Sequence, residues 1–169
     1  MIVGLISDTH DRLPYIKSAV ERLNEVGVEL VLHAGDYVAP FVVTYFQPLR
    51  ARLVGVFGNN DSMKGTLTSM FSKLGFKVGG SFRHLELDGR KVALVHGDED
   101  ELLKALIDSN YYDIVVYGHV HRAETFVKGK TTAVNPGEVC GYLTGTSTIA
   151  VLDTKTLEVK TISLNSVTE

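Results

Sequence analysis

Seven residues of this chain carry side chains able to bind divalent cations, and each closely follows a short apolar run: Asp8 and His10, Asp36, Asn59, His96, and His119 with His121. The set offers three oxygen donors and four imidazoles, with no thiolate. That is too many for one tetrahedral zinc ion, but it suits two adjacent ions if one carboxylate bridges them. Two-metal sites hold their ions roughly 3.5–4 Å apart and stabilise both the attacking and the leaving oxygen of an in-line displacement at phosphorus. Mixed carboxylate and imidazole ligation fits manganese, iron, nickel or zinc, whereas magnesium prefers oxygen ligands and keeps its waters.

Each residue alone has a plainer reading. Asp8 could cap a helix, and Asp36 and Asn59, each beside a glycine, could be turn formers. His10 could be a solvated loop residue and His96 a strand-end histidine. His119 and His121, at i and i+2, would share one face of an extended segment. The coincidence of all seven at strand ends favours metal binding over seven unrelated roles. Other polar residues do not share that placement. His33 lies within an apolar run and reads as a core or ligand-supporting histidine, and His84 reads as a surface residue. The acidic run at 98–101 reads as a helix N-terminus favoured by the macrodipole. Asp61 could orient a ligand from behind. Asn135-Pro136-Gly137 reads as a turn near the site with no chemistry assigned, and Cys140 as a small packed residue.

The elements that would bring these positions together follow from the apolar pattern. Residues 2–6, 28–33 and 53–57 read as buried strands. Between them, Ile16, Ala19, Val20, Leu23 and Val26 fall at helical spacing, with Pro14 in the first turn and Gly27 as a stop. Residues 40–49 read as a short helix. This alternation predicts a mainly parallel sheet, whose ligands bind beyond the carboxyl ends of the strands. The second half reads as hairpins around Asp88-Gly89, Gly129 and residues 153–157, a helix over 99–109 opened by an Asp98/Glu101 capping box, and a short strand at 114–117. No linker or repeat interrupts the chain, so the expectation is one domain over residues 1–169.

Composition bounds the function. The chain has 169 residues, a formal net charge of -3 and no basic run, which disfavours long nucleic acid held by clustered cations. One cysteine excludes an internal disulfide and a cysteine-rich zinc site. The opening residues show no signal-peptide pattern, and no apolar run approaches the roughly 20 residues of a membrane span. A cytoplasmic location without membrane attachment is the expectation.

The blocks Asp8-Thr9-His10, Gly35-Asp36, Gly58-Asn59-Asn60-Asp61, His96-Gly97 and Gly118-His119-Val120-His121 resemble, in order, the five blocks of the calcineurin-like metallophosphoesterases. The chain's size and its plain C-terminal strands resemble the small bacterial and archaeal phosphodiesterases of that superfamily. The resemblance implies an α/β fold: a four-layer, two-sheet β-sandwich with helices on the outer faces. It implies that Asp8, His10 and His121 hold a first metal, that Asn59, His96 and His119 hold a second, and that Asp36 bridges both. A hydroxide between the two ions would then attack a small phosphodiester. Manganese is the expected ion, with nickel, iron or zinc as alternatives. Many members carry a histidine where this chain has Asn60, credited with stabilising the transition state or protonating the leaving group. An amide can donate a hydrogen bond to a phosphoryl oxygen but cannot deliver a proton near neutral pH. Asn60 is therefore expected to act with Asp36 in catalysis on activated esters. The alternatives are a phosphomonoesterase, or a non-catalytic interaction scaffold such as a retromer subunit with this fold. A nuclease fits less well without a basic groove. The closing strands leave room for homodimer contact.

Overall fold

Alternation along the first strand sets the layers. In β1 (Ile2–Ile6), Val3 and Leu5 turn to one side, while Ile2 and Ile6 turn to the other, as a pleated strand requires. Gly4 lies beneath α1 (Leu13–Val26), where an added Cβ would overlap Leu23 Cδ2. The helix begins with Pro14 in its first turn. It ends at Gly27, whose left-handed backbone (φ 74°) lets its N–H reach Leu23 O. Val28 N–H goes to the same carbonyl, so β2 (Leu30–His33) begins two residues later than the apolar pattern suggests.

In the computed structural model, which describes residues 1–164, these elements belong to a sheet ordered β11-β10-β1-β2-β3-β4. Here β3 is Arg52–Gly55, β4 is Lys77–Val78, β10 is Thr148–Asp153 and β11 is Val159–Ser163. Strands β1 to β4 run parallel, and β10 joins the edge of β1 antiparallel. The second sheet, ordered β5-β6-β7-β9-β8, comprises β5 (Phe82–Leu87), β6 (Arg90–Val95), β7 (Ile114–Val116), β8 (Ala123–Lys128) and β9 (Thr131–Pro136). Asp88 and Gly89 both take positive φ in the β5–β6 turn, as a two-residue hairpin demands.

Three apolar layers follow. Val3, Leu5, Leu30 and Leu32 of the first sheet meet Val92, Leu94, Ile114 and Val116 of the second. The outer face of the first sheet is covered by α1, a 3-10 segment (Pro40–Phe46) and α2 (Lys64–Lys73). The outer face of the second is covered by α3 (Asp100–Asp108) through Leu103, Leu106 and Ile107. The α/β sandwich of two mixed sheets with helices outside is thus the fold the sequence led us to expect.

Two local expectations need correction, and one helix was not expected. The short helix at 40–49 is a 3-10 segment ending at Phe46; Pro48 has no N–H with which to continue it. The Asp98/Glu101 capping box does not form, because α3 starts after Glu99 and no side chain caps it. Helix α2 was not foreseen: only Leu67 and Phe71 are fully buried in it, too thin a stripe to announce a helix. Phe71 nevertheless packs its ring against Tyr37 and Phe46, with centroids 5.1 and 5.5 Å away. Phe71→Ala is expected to cost about 3–5 kcal/mol in urea denaturation. A loss below about 1 kcal/mol would mean that α2 does not dock as described.

Candidate metal centre

The seven predicted donors all lie on the loops that follow β1, β2, β3, β6 and β7, at one end of both sheets. Their backbones are unusual. Asp8, His10, Asp36, His119 and His121 all have positive φ, between 39° and 68°. Left-handed backbone outside glycine is costly and gathers at functional sites. Bonds between loops hold these conformations: Asp8 N–H donates to Gly35 O, and Thr9 and His10 N–H both donate to Asp36 O. On the far side, Val139 and Cys140 N–H donate to Ser7 O and Asp8 O.

The side chains converge and satisfy one another only in part. Asp8 Oδ1 lies 3.6 Å from His10 Nε2 and 3.4 Å from His121 Nε2. Asp36 Oδ2 lies 3.4 Å from His10 Nε2 and 3.3 Å from His96 Nε2, and Asn59 Oδ1 is 3.0 Å from His96 Nε2. The ring of His119 packs against that of His96 at 5.2 Å, and its backbone N–H donates to Asp8 Oδ2. Asp8 Oδ1 and His10 Nε2 are shielded from solvent yet have no hydrogen-bond partner. Ligand atoms about 2.1 Å from a shared ion stand roughly 3–3.5 Å from one another. The spacing around Asp8, His10 and Asp36 is of that kind, and their donor atoms fall within 4.8 Å of each other. The residues present therefore fit a divalent cation.

Electrostatics agree. Burial would lower the pKa of His96, but a hydrogen bond and charge from Asp36, with the charge of Asp8, bring it up to about 9. Burial would raise Asp36, yet His96 and two bonds from Asn60 hold it below the usual carboxylate range. Asn60 donates from its backbone to Asp36 Oδ1 (2.9 Å) and from its side chain to Oδ2 (2.8 Å), so here the amide clamps the central carboxylate rather than facing outward.

Behind the donors stands a supporting set. Asp61 accepts the N–H groups of Asp36, Val38 and Gly58 at 3.0, 2.8 and 2.7 Å. His33 accepts Gly35 N–H, stacks on Tyr37 at 3.8 Å, and is held neutral, with its pKa lowered to about 3 chiefly by burial. His84 is exposed on β5 beside Tyr111 and Tyr112, as read from the sequence. Sequence reasoning missed Glu138. Fully buried, it meets His121 Nδ1 at 2.6 Å. The only hint was its place just after β9; Asn135 and Pro136, read from the sequence as part of a turn, are the last residues of that strand and pair with β8. Cys140 lies within 4.8 Å of the His10 and His121 nitrogens. Burial and Glu138 raise its pKa, so it stays a thiol that donates to that carboxylate. Arg12 donates to Cys140 O and lies 4.2 Å over Tyr15 and 5.0 Å over Tyr142, joining the two loops on that side.

Comparison with known proteins decides the family. Residues 1–157 match the calcineurin-like phosphoesterase superfamily domain. The chain belongs to that superfamily. It is 39% identical over 165 residues to phosphodiesterase MJ0936 of Methanocaldococcus jannaschii, covering 97% of this chain and 99% of the relative. A solved archaeal phosphodiesterase superposes with a TM-score of 0.93 at 39% identity, covering 97% of this chain and 100% of that one. A Vps29 mutant from Entamoeba histolytica, 19% identical with a TM-score of 0.71, covers 98% of this chain and 100% of its own, and shows the fold alone. Membership and the convergent donors make this chain a metal-dependent phosphoester hydrolase.

Gly58 tests how tightly the donors are seated. A Cβ there would overlap Asp36 Oδ1 and stand 2.7 Å from the His96 ring, whereas at Gly65 nothing lies within 4 Å. Gly58→Ala is expected to lose about 2 kcal/mol or more in chemical denaturation. Gly65→Ala, in helix α2, is expected to gain about 0.5–1 kcal/mol. Equal stability of the two variants would show a slack site.

Proposed function

We propose that the chain hydrolyses a small phosphodiester with two divalent ions. Asp8, His10 and His121 hold the first ion, Asn59, His96 and His119 hold the second, and Asp36 is shared. One observation carries this reading: Asp36 Oδ2 stands 3.4 Å from His10 Nε2 and 3.3 Å from His96 Nε2, so a single carboxylate oxygen lies between the two groups. When bound, the ions acidify a water molecule and neutralise charge on the phosphoryl oxygens. The chain's own groups do the rest. His96 Nδ1 donates to Ala34 O at 2.8 Å, which leaves Nε2 to face Asn59 and Asp36. Asp61 pins the backbone that carries Asp36 and Gly58. Asn60 restrains Asp36 through both its backbone N–H and its side-chain amide.

A diester is favoured over a monoester because the relative with 39% identity is named a phosphodiesterase. A small substrate follows from the absence of a basic run, since extended nucleic acid would need clustered cations. Manganese is the proposed ion and the cytoplasm the proposed location. No helix among the described residues is long and apolar enough to cross a membrane. The scaffold reading loses ground because every donor type needed for two ions is present.

Metal-stripped protein, reloaded in turn with manganese, nickel, zinc or magnesium, should recover cleavage of an aryl phosphodiester in preference to the matching monoester. Manganese is expected to serve best and magnesium worst. Asp36→Ala should bind neither ion tightly and fall to the rate of buffer; two retained ions in that variant would rule out a shared carboxylate. The second test concerns Asn60. Asn60→His should raise the rate on an alkyl diester relative to an aryl diester by roughly 10-fold or more, as a positioned general acid does. The ratio within one variant cancels any change in metal loading. An unchanged ratio would mean that leaving-group protonation is not what the asparagine lacks.

A further inference from the structure

Glu138 is fully buried and sits at the meeting point of two loops. Its Oε2 faces His121 Nδ1 at 2.6 Å and accepts from the Cys140 thiol and Tyr142 N–H, both at 3.0 Å. Its Oε1 accepts Leu143 N–H at 3.0 Å, Thr144 N–H at 2.6 Å and Thr144 Oγ1 at 2.8 Å. A carboxylate needed only for a bend in the chain would stay at the surface, where it loses no hydration.

We propose that Glu138 is a positioning residue: it fixes His121 as the tautomer protonated at Nδ1, so that Nε2 offers its lone pair to the first ion, and it ties that choice to the loop at the rim. The inference rests on the two-ion reading above. A carboxylate that takes five donors from loop 140–144 can only accept, so the sixth partner, His121 Nδ1, must donate. His121 Nε2 then faces Asp8 Oδ1 at 3.4 Å, a spacing at which a shared cation could lie between them. A carboxylate behind a ligating imidazole fixes ring orientation and raises its basicity. The same carboxylate seats Tyr142 and Leu143, 58% and 75% exposed at the rim, so the histidine and the rim loop cannot move independently.

Glu138→Gln separates the two jobs. A glutamine has one oxygen; if that serves Leu143 and Thr144, its NH2 faces His121 Nδ1 and forces the proton onto Nε2. Two measurements follow on correctly folded protein, checked by thermal melting: the His121 tautomer in the metal-free protein, by nitrogen–proton correlation of the imidazole, and manganese binding by calorimetry. Wild type should show the Nδ1–H tautomer. Glu138→Gln should show the Nε2–H tautomer, and one of two manganese equivalents should weaken by about 10–100-fold while the other stays within about 3-fold. Thr144→Val, which loosens the loop without touching His121, should keep the wild-type tautomer and both affinities. A Glu138→Gln protein with the wild-type tautomer and both affinities unchanged overturns the proposal, as does Thr144→Val matching it in lost affinity. Wild type that shows the Nδ1–H tautomer but takes up fewer than two ions overturns the two-ion reading instead, and with it the use assigned to Glu138. If Glu138→Gln fails to fold, the wild-type tautomer alone decides: Nε2–H would sink the idea.

Discussion

Two carboxylates, Asp8 and Asp36, stand at the same opening with 0% and 1% of their surface exposed, and the rest of the structure is arranged around keeping them there. Buried like charges repel and lose their hydration, and they persist only where positive charge or donors replace the water. Part of that replacement is built in: Asn60 gives Asp36 two bonds, and the His96 ring nitrogen stands 3.3 Å from it. Part is missing, since Asp8 Oδ1 has no donor although it is sealed from solvent. A chain that only needed stability would have avoided this cluster. The deficit is the physical signature of a site whose balance is completed by cations.

Holding such a cluster demands a rigid frame, and the frame is the parallel half of the first sheet with its partner sheet behind. Parallel strands deliver successive loops to one end of the sheet, so β1, β2 and β3 bring Asp8, Asp36 and Asn59 to one place, while β6 and β7 bring the histidines from across the sandwich. Five donors sit on left-handed backbone, each at roughly 1–3 kcal/mol, a sum comparable with the net stability of a domain, about 5–15 kcal/mol. The offset comes from bonds that cross between loops. Asp36 O accepts from Thr9 and His10, and Asp61 takes three N–H groups from the second and third loops.

Much of this was legible because the informative residues announce themselves locally. An Asp, Asn or His after a β-branched run is visible in a few residues, and so are Pro14 and Gly27 at the ends of α1 and Asp88-Gly89 in its hairpin. What escaped depends on distant partners. Helix α2 is mostly polar, and its place is set by Phe71 meeting Tyr37 and Phe46, residues that sequence proximity does not join. The expected capping box had the right residue types, but α3 starts one residue later than that pattern needs. Glu138 follows an apolar strand just as Asp8 does, yet its meaning comes only from His121, which meets it because β9 lies against β7. A glutamate after Pro136-Gly137 looks like solvent-facing punctuation until that pairing is known.

The two halves of the site are therefore supported by different devices. Behind Asp36 and Asn59, Asp61 acts on backbone N–H groups, so it fixes where loops run. Behind His121, Glu138 acts on a ring nitrogen, so it fixes where a proton sits. The first kind of support is insensitive to the chemistry of the donors; the second changes what the donor is. This difference explains why the side with Glu138 can combine a half-exposed rim, with Tyr142 and Leu143 in solvent, and a histidine of defined tautomer. One buried carboxylate holds both, so the exposed rim and the nitrogen that faces Asp8 keep a fixed relation to each other.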